Sequence, residues 1–282
     1  MATQLTPSAG RPSAIAPGGP GRWARTIHFV LFILFLICAG GWLLRLLGLP
    51  MAERWRWAEA LIPVAAAATT LAALARWLPA QNVLLAAALI ALIGGGVQTL
   101  GAVTGIPFGA CTYTDSAGRR VFDILPWPMP LMWVVVVFNA RGVGRLILRP
   151  WRRTSTYGFR LIALTCVFAV VFDLALEPFA SKVCRYWIWQ TPETVLAWHT
   201  APWTNFLGWF TTALFILTFI TPCLINKKPV RRPPDYHPLV VWLLLNLIFA
   251  TGTATHGLWS AAVFTLLANI LVTVFAVRGA RW

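Results

Sequence analysis

An all-α fold, a polytopic bundle with about eight transmembrane helices, is the class predicted by three features of this 282-residue sequence. Charged residues make up 11% of it and hydrophobic residues 59%, whereas a soluble domain carries about 25% charged residues to coat its water-facing surface. The apolar residues gather in runs of about 17–23, the length that crosses a hydrocarbon core of roughly 30 Å as helix. Sixteen tryptophans, several of them beside the ends of those runs, suit the belts that aromatic side chains form at membrane–water interfaces.

Residues 1–22 are rich in Ala, Pro, Gly and Ser and read as a disordered tail ahead of one membrane domain over 23–282. They lack the basic, apolar and cleavage regions of a signal peptide. The first span is expected over 27–47 and the second over 58–78. The third, 83–104, carries Gly94-Gly95-Gly96, where a neighbouring helix can approach closely. The fourth, 126–139, opens on Pro126-Trp127-Pro128, and proline suits a first helical turn because its missing N–H has no partner there anyway. The fifth covers 159–180 and the sixth 203–225. Residues 237–277 are too long for one crossing and divide at Gly252-Thr253-Ala254-Thr255-His256-Gly257, a polar turn flanked by glycine.

With the amino terminus in the cytoplasm and sides alternating, 16 of the 23 Lys and Arg fall on inner segments and 7 on outer ones. Cytoplasmic connections carry that bias, and it is strongest in the six arginines of 141–160. Both termini are therefore predicted cytoplasmic, in a multi-pass protein of the cell (plasma) membrane. The same distribution accounts for the net charge of +15 without nucleic acid, since the cations form no stripe on a soluble face. Cys38, Cys166 and Cys223 lie inside apolar runs as small core residues. Cys111 and Cys184 fall in connections on one side, where a disulfide is conceivable. His28, His199, His237 and His256 are far apart and form no His-x-x-x-His pattern; only His256, at the outer turn, is a candidate to join an outer site.

Acids are scarce, with only eight in the chain. Glu53, Glu59, Asp115, Asp123, Glu193 and Asp235 sit in connections or at helix ends, where water solvates them. Asp173 and Glu177 lie in the outer half of the fifth span, four residues apart and so on one helical face. An acid at that depth costs a few kcal/mol on insertion scales and should face the bundle interior or a wet cavity. One reading is a helix-end pair held by Lys182, Arg185 or a neighbouring donor. The other is a general acid beside a second carboxylate, because two carboxyls in a dry site do not both ionise easily and one keeps its proton near neutral pH.

Aromatic and polar groups cluster at the same end: Phe108 and Tyr113 in one connection, Trp127 at the start of span four, Tyr186, Trp187 and Trp189 after span five, and Asn205 and Trp209 opening span six. Taken singly, each aromatic is an interfacial belt residue. Together with an acid pair they suit an apolar substrate entering from lipid and a cationic transition state, since indole faces attract cations.

The stretches FGACTYT (108–114), PWPMPLMW (126–133), FDLALEPFA (172–180), RYWIW (185–189) and NFLGW (205–209) resemble the CruF-type carotenoid biosynthesis family of membrane proteins, which includes carotenoid 1,2-hydratases and bisanhydrobacterioruberin hydratases. The resemblance covers about 100–225. It departs at Cys111, where the family pattern has an aromatic residue, at Glu177, where aspartate is usual, and over 191–203. It implies a hydratase that adds water to the terminal 1,2 double bond of a linear carotenoid, with no redox cofactor or metal required. Asp173 or Glu177 would be the proton donor and the other the cation stabiliser or water-orienting base. Trp127, Trp187, Trp189 and Trp209 would wall the cation, with Phe108 among the substrate contacts, and Tyr113, Tyr186 and Asn205 would orient water or hold the carboxyls. The implied partners are the lipid bilayer, the carotenoid and other membrane enzymes of the pathway.

Two other functions fit some of these residues. A carotenoid end-group cyclase also begins with protonation, but an internal double bond captures the cation. A proton-coupled transporter would use the acid pair as a relay, or a membrane scaffold would use it for no chemistry; the absence of an internal repeat and the one-sided polar residues count against transport.

Overall fold

A computed structural model describes residues 21–49, 52–225 and 233–282. Most of the expected tail, and the inner-side cations Lys227, Lys228, Arg231 and Arg232, lie outside the described residues. The chain forms α1 (Arg22–Leu46), α2 (Arg56–Ala75), α3 (Ala80–Thr104), α4 (Pro128–Ile147), α5 (Tyr157–Pro178), α6 (Trp203–Ile220), α7 (His237–Thr255) and α8 (Trp259–Ala280). All eight are long and apolar enough to cross a membrane, and an even number of crossings returns the chain to the side from which it started.

Helix α4 is the hub, packed on α2, α3, α5, α7 and α8, and Val134, Val135, Val136 and Val137 are buried on every side of it. A helix that is apolar all round is a core helix. By contrast α1 and α8 leave Phe29, Val30, Leu267 and Ile270 exposed, as a lipid-facing rim does. Residues 237–277 do divide into two helices, but the break falls at His256–Leu258, the end of the expected turn, and Gly252–Thr255 stay inside α7. There Gly257 adopts φ of 74° and the Leu258 N–H returns to the Thr253 carbonyl at 2.8 Å, the glycine-terminated helix end that needs no Cβ.

The fourth span differs from expectation, running on to Ile147 rather than stopping near 139. Asn139 does not end it because its amide nitrogen finds acceptors inside the bundle, donating to Thr70 Oγ1 at 3.0 Å and to the Val135 carbonyl at 2.8 Å. Arg141 and Arg145 therefore ride on the last turns of the helix instead of in a connection, where long stems carry the charge toward the interface.

The connections at the end opposite the termini are not featureless. Strand β1 (Cys111–Tyr113) pairs antiparallel with the later β4 (Trp187–Trp189), joining Cys111 to Trp189 and Tyr113 to Trp187. Between them β2 (Arg120–Val121) pairs with β3 (Leu125–Pro126). After them β5 (Ala197–Trp198) pairs with β6 (Ala201–Pro202). Cys111 and Cys184 are both free thiols; Cys111 faces Trp189 across the ladder rather than Cys184. Burial pushes both thiols up to about 12.

Of the three consecutive glycines in α3, two make the close approach expected of them. A Cβ on Gly94 would meet Trp133 Cγ at 2.5 Å and one on Gly95 would meet Pro130 at 3.2 Å, while Gly96 has nothing within 4 Å. Gly94→Ala is therefore expected to destabilise the detergent-extracted protein by about 1–3 kcal/mol through overpacking, and Gly96→Ala to leave the thermal unfolding midpoint unchanged. Thermal melts of the two variants side by side check this.

Candidate active site

Asp173 and Glu177 project from α5 into the bundle and are 0% and 1% exposed. Their partners are neutral. Asn205, on the first turns of α6, donates its Nδ2 to Asp173 Oδ2 at 2.6 Å. The indole N–H groups of Trp187, at 2.8 Å, and Trp189 both donate to Glu177 Oε1. Strand β4 explains the pairing, because residues two apart point the same way and the ladder to β1 holds that face over the end of α5. Neither Lys182 nor Arg185 forms an ion pair with these acids among the described residues, so the pair is held by neutral donors, the amide and indoles above with the Ser181 hydroxyl beside Glu177. Asp173 Oδ1 has no hydrogen-bond partner.

The acids line a small cavity of about 20 Å³ together with Gln98, Phe108, Cys111, Tyr113, Trp187, Trp189, Asn205 and Trp209. That is enough room for a water molecule, and the walls offer the polar partners that a buried water needs. A second cavity of about 220 Å³ is mainly apolar, lined among others by Trp42, Ile62, Trp127, Met132, Trp133, Leu245 and Phe249. The two cavities share Met129, Trp187 and Trp209, so they meet at two indoles and a thioether. Trp209 is stacked on Trp133 with ring centroids 4.2 Å apart, which fixes one wall.

The residues expected from sequence divide between the two chambers. Phe108, Tyr113, Trp189 and Asn205 join the carboxyls in the small one, and Trp187 and Trp209 stand at the junction. Phe108 gets there by filling the space left by Gly101 and Gly208, whose Cβ atoms would each meet its ring at 2.6 Å. Tyr113 does not hold a carboxyl: its hydroxyl donates to Gln98 Oε1 at 3.1 Å. Burial, with Cys111 and Glu177 nearby, raises that phenol above its ordinary value and keeps it a donor. Trp127 lines only the large cavity.

Tyr186 lines the large cavity and does not hold either carboxyl of the pair. Neighbours along an extended strand diverge, so while Trp187 faces Glu177 the Tyr186 hydroxyl donates to Glu59 Oε1 at 2.7 Å. Glu59, in the first turn of α2 as expected, in turn pairs with Arg45 at 2.5 Å and lines the large cavity, so partners in the protein as well as water hold it. Burial raises the Tyr186 phenol, helped by Cys184 and Glu59. His256 lines neither cavity; its Nδ1 lies 2.9 Å from the Gly252 carbonyl oxygen. Sequence reasoning passed over Gln98, although a lone amide in the apolar run of α3 was a signal. It also passed over Met129 and Trp133, which sit within the quoted PWPMPLMW stretch.

The comparisons with known proteins bear on this site. Over 125 residues the chain is 29% identical to a bisanhydrobacterioruberin hydratase of Haloarcula japonica, an alignment covering 44% of this chain and 40% of that protein. The chain thus matches less than half the length of that curated relative. No solved structure matches it. The profile of the family described as "Carotenoid biosynthesis protein" matches residues 57–272, a stretch that takes in both carboxyls, every residue lining the small cavity, all of those lining the large one except Trp42, and all or most of seven of the eight helices. On that match the chain belongs to the carotenoid biosynthesis protein family.

Proposed function

We propose that this protein hydrates the terminal 1,2 double bond of a linear carotenoid. One observation carries the reading: a water-sized chamber holding two buried carboxyls shares Met129, Trp187 and Trp209 with a larger apolar chamber. The end of an isoprenoid chain suits the large chamber, whose volume is below that usual for whole drug-sized ligands, and the rest of the polyene extends beyond it. The hydratase name of the Haloarcula japonica relative points the same way.

Two indole N–H groups meet one oxygen of Glu177, donors placed to oppose negative charge there. Asp173 receives one amide donor and keeps Oδ1 free of partners, so Oδ1 is the oxygen to carry the proton that a close pair retains. Asp173 gives that proton to C2, the π electrons form the new C2–H bond, and C1 becomes a tertiary cation. Trp187 and Trp209 border it with their π systems and Glu177 opposes it with negative charge. Water from the small chamber bonds through oxygen to C1, and the proton released from the oxonium returns to the carboxyl pair, restoring it. The products are the tertiary alcohol and the starting enzyme. The site belongs to the outer side of the cell membrane with both termini cytoplasmic, the orientation the arginine bias favours. Other membrane enzymes of the pathway, which share so insoluble an intermediate, are the expected neighbours.

In a host that makes a linear carotenoid with open ends, expression is expected to yield a pigment heavier by one water, detected by chromatography and mass spectrometry. An isomeric pigment would instead mean cyclisation, and no new pigment across several linear carotenoids would favour transport or scaffolding. Asp173→Asn and Glu177→Gln should each lower product at least about a hundredfold, the lower end of what a positioned acid or base contributes; undiminished product from the double variant would sink the assignment.

A hydrogen bond to a charged group is worth about 1.5–3 kcal/mol. Trp187→Phe and Trp189→Phe, each removing one donor from Glu177, are thus expected to slow turnover roughly tenfold or more. Rate measurements in proteoliposomes check this.

A further inference from the structure

The helix that carries the acid pair is continuous to Pro178 but lacks one backbone hydrogen bond between the two carboxyls and widens just after them. Pro178 sits inside the last turn of α5, and a proline there has no N–H to return to the carbonyl four residues back. That carbonyl belongs to Leu174, the residue immediately after Asp173. Beyond Pro178 the chain continues as a wider π turn over Phe179–Val183, with the Cys184 N–H reaching back to the Phe179 carbonyl at 2.9 Å. Left alone, this segment has a missing rung in its backbone ladder at the point where Asp173 and Glu177 must be held in one geometry.

A side chain from a distant connection supplies the rung. The indole Nε1–H of Trp198, on β5, donates to the Leu174 carbonyl at 3.0 Å. Strands β5 and β6 form a tight hairpin whose turn residue His199 adopts φ of 54°, and the hairpin is tied down on both sides. Thr200 Oγ1 donates to Ser181 Oγ at 3.3 Å, and Ser181 Oγ donates in turn to the Glu177 carbonyl at 2.8 Å. On the far side Trp198 packs edge-on against Phe264 of α8, with centroids 5.7 Å apart. The hairpin therefore grips the backbone of both residues that flank the missing rung, Leu174 and Glu177, while touching neither carboxyl.

We propose that Trp198 is a positioning residue for the acid pair, replacing the hydrogen bond that Pro178 removes. This inference rests on the reading of Asp173 and Glu177 as the acid site. Its consequence is specific: the need for the Trp198 N–H exists only because residue 178 is proline. Restoring a backbone N–H at 178 should make the indole N–H dispensable.

The test measures hydration of a linear carotenoid by the full chain in proteoliposomes for four proteins besides the wild type. These are Trp198→Phe, a protein with Trp198 replaced site-specifically by benzothienylalanine (the same shape with sulfur in place of N–H), Trp198→Phe/Pro178→Ala, and Asp173→Asn. Small displacements of a catalytic group cost up to about a hundredfold in rate, so the first two are expected to lose roughly tenfold or more in kcat with KM within about twofold. The double variant should recover to within about threefold of wild type. A benzothienylalanine protein with wild-type turnover would overturn the proposal, as would a double variant no more active than Trp198→Phe alone. Asp173→Asn separates the two levels: full activity there defeats the acid-site reading itself, whereas an inactive Asp173→Asn beside a fully active benzothienylalanine protein defeats only the role of Trp198.

Discussion

A carboxyl group inside a membrane-spanning bundle has no water to solvate it, and the cost of an unsatisfied one runs to several kcal/mol. Much of the structure at the end of the bundle opposite the termini follows from meeting that cost twice, at Asp173 and Glu177, without a cation among the described residues. The donors are one amide and two indoles, with the Ser181 hydroxyl beside Glu177. Bringing them there requires α6 to begin beside α5, so that Asn205 reaches Asp173, and requires a strand crossing the end of α5 so that Trp187 and Trp189 point the same way. That strand is held by its ladder to Cys111–Tyr113, and Tyr113 is anchored in turn to Gln98 of α3. Five separated stretches of sequence are thus drawn to one end of the bundle by the needs of two side chains.

Neutral donors also leave the chemistry open in a way that a salt bridge would not. A lysine or arginine against either carboxyl would hold it ionised and would repel a carbocation forming nearby. Amide and indole N–H groups stabilise a carboxylate while adding no net positive charge, and the indole rings offer π faces to a cation. The Arg45–Glu59 ion pair reaches the large cavity through Glu59, and neither it nor the Arg120–Asp115 pair puts a residue on the small one. The site therefore separates a region of fixed charge from a region where charge can appear and disappear.

The eight spans were legible because length and hydropathy are strong signals in a membrane protein, and the α7–α8 turn was legible from its glycines. The fourth span was read short because Asn139 and Arg141 look like the end of a helix, and only the partner Thr70 explains why they are not. The acid pair was legible through its spacing alone. Its partners are harder: a shared end of the bundle gathers Asn205, Trp187 and Trp189, but it leaves Tyr186 and Tyr113 open between water and the carboxyls, whereas they bond to Glu59 and Gln98. One-residue alternation in a strand decides that difference, and no strand was expected in those connections. Trp198 was invisible for the same reason, since its contact with Leu174 depends on a hairpin and on a proline twenty residues away.

The most direct test of a water-adding acid site is to follow where the atoms come from. Turnover in heavy-oxygen water and, separately, in deuterium oxide should give a product with one heavy oxygen at C1 and one deuterium at the adjacent C2, because the hydroxyl comes from water and the new C–H proton from a solvent-exchanged carboxyl. Oxygen drawn from the dissolved gas, or an alcohol formed with no deuterium at C2, would contradict the account.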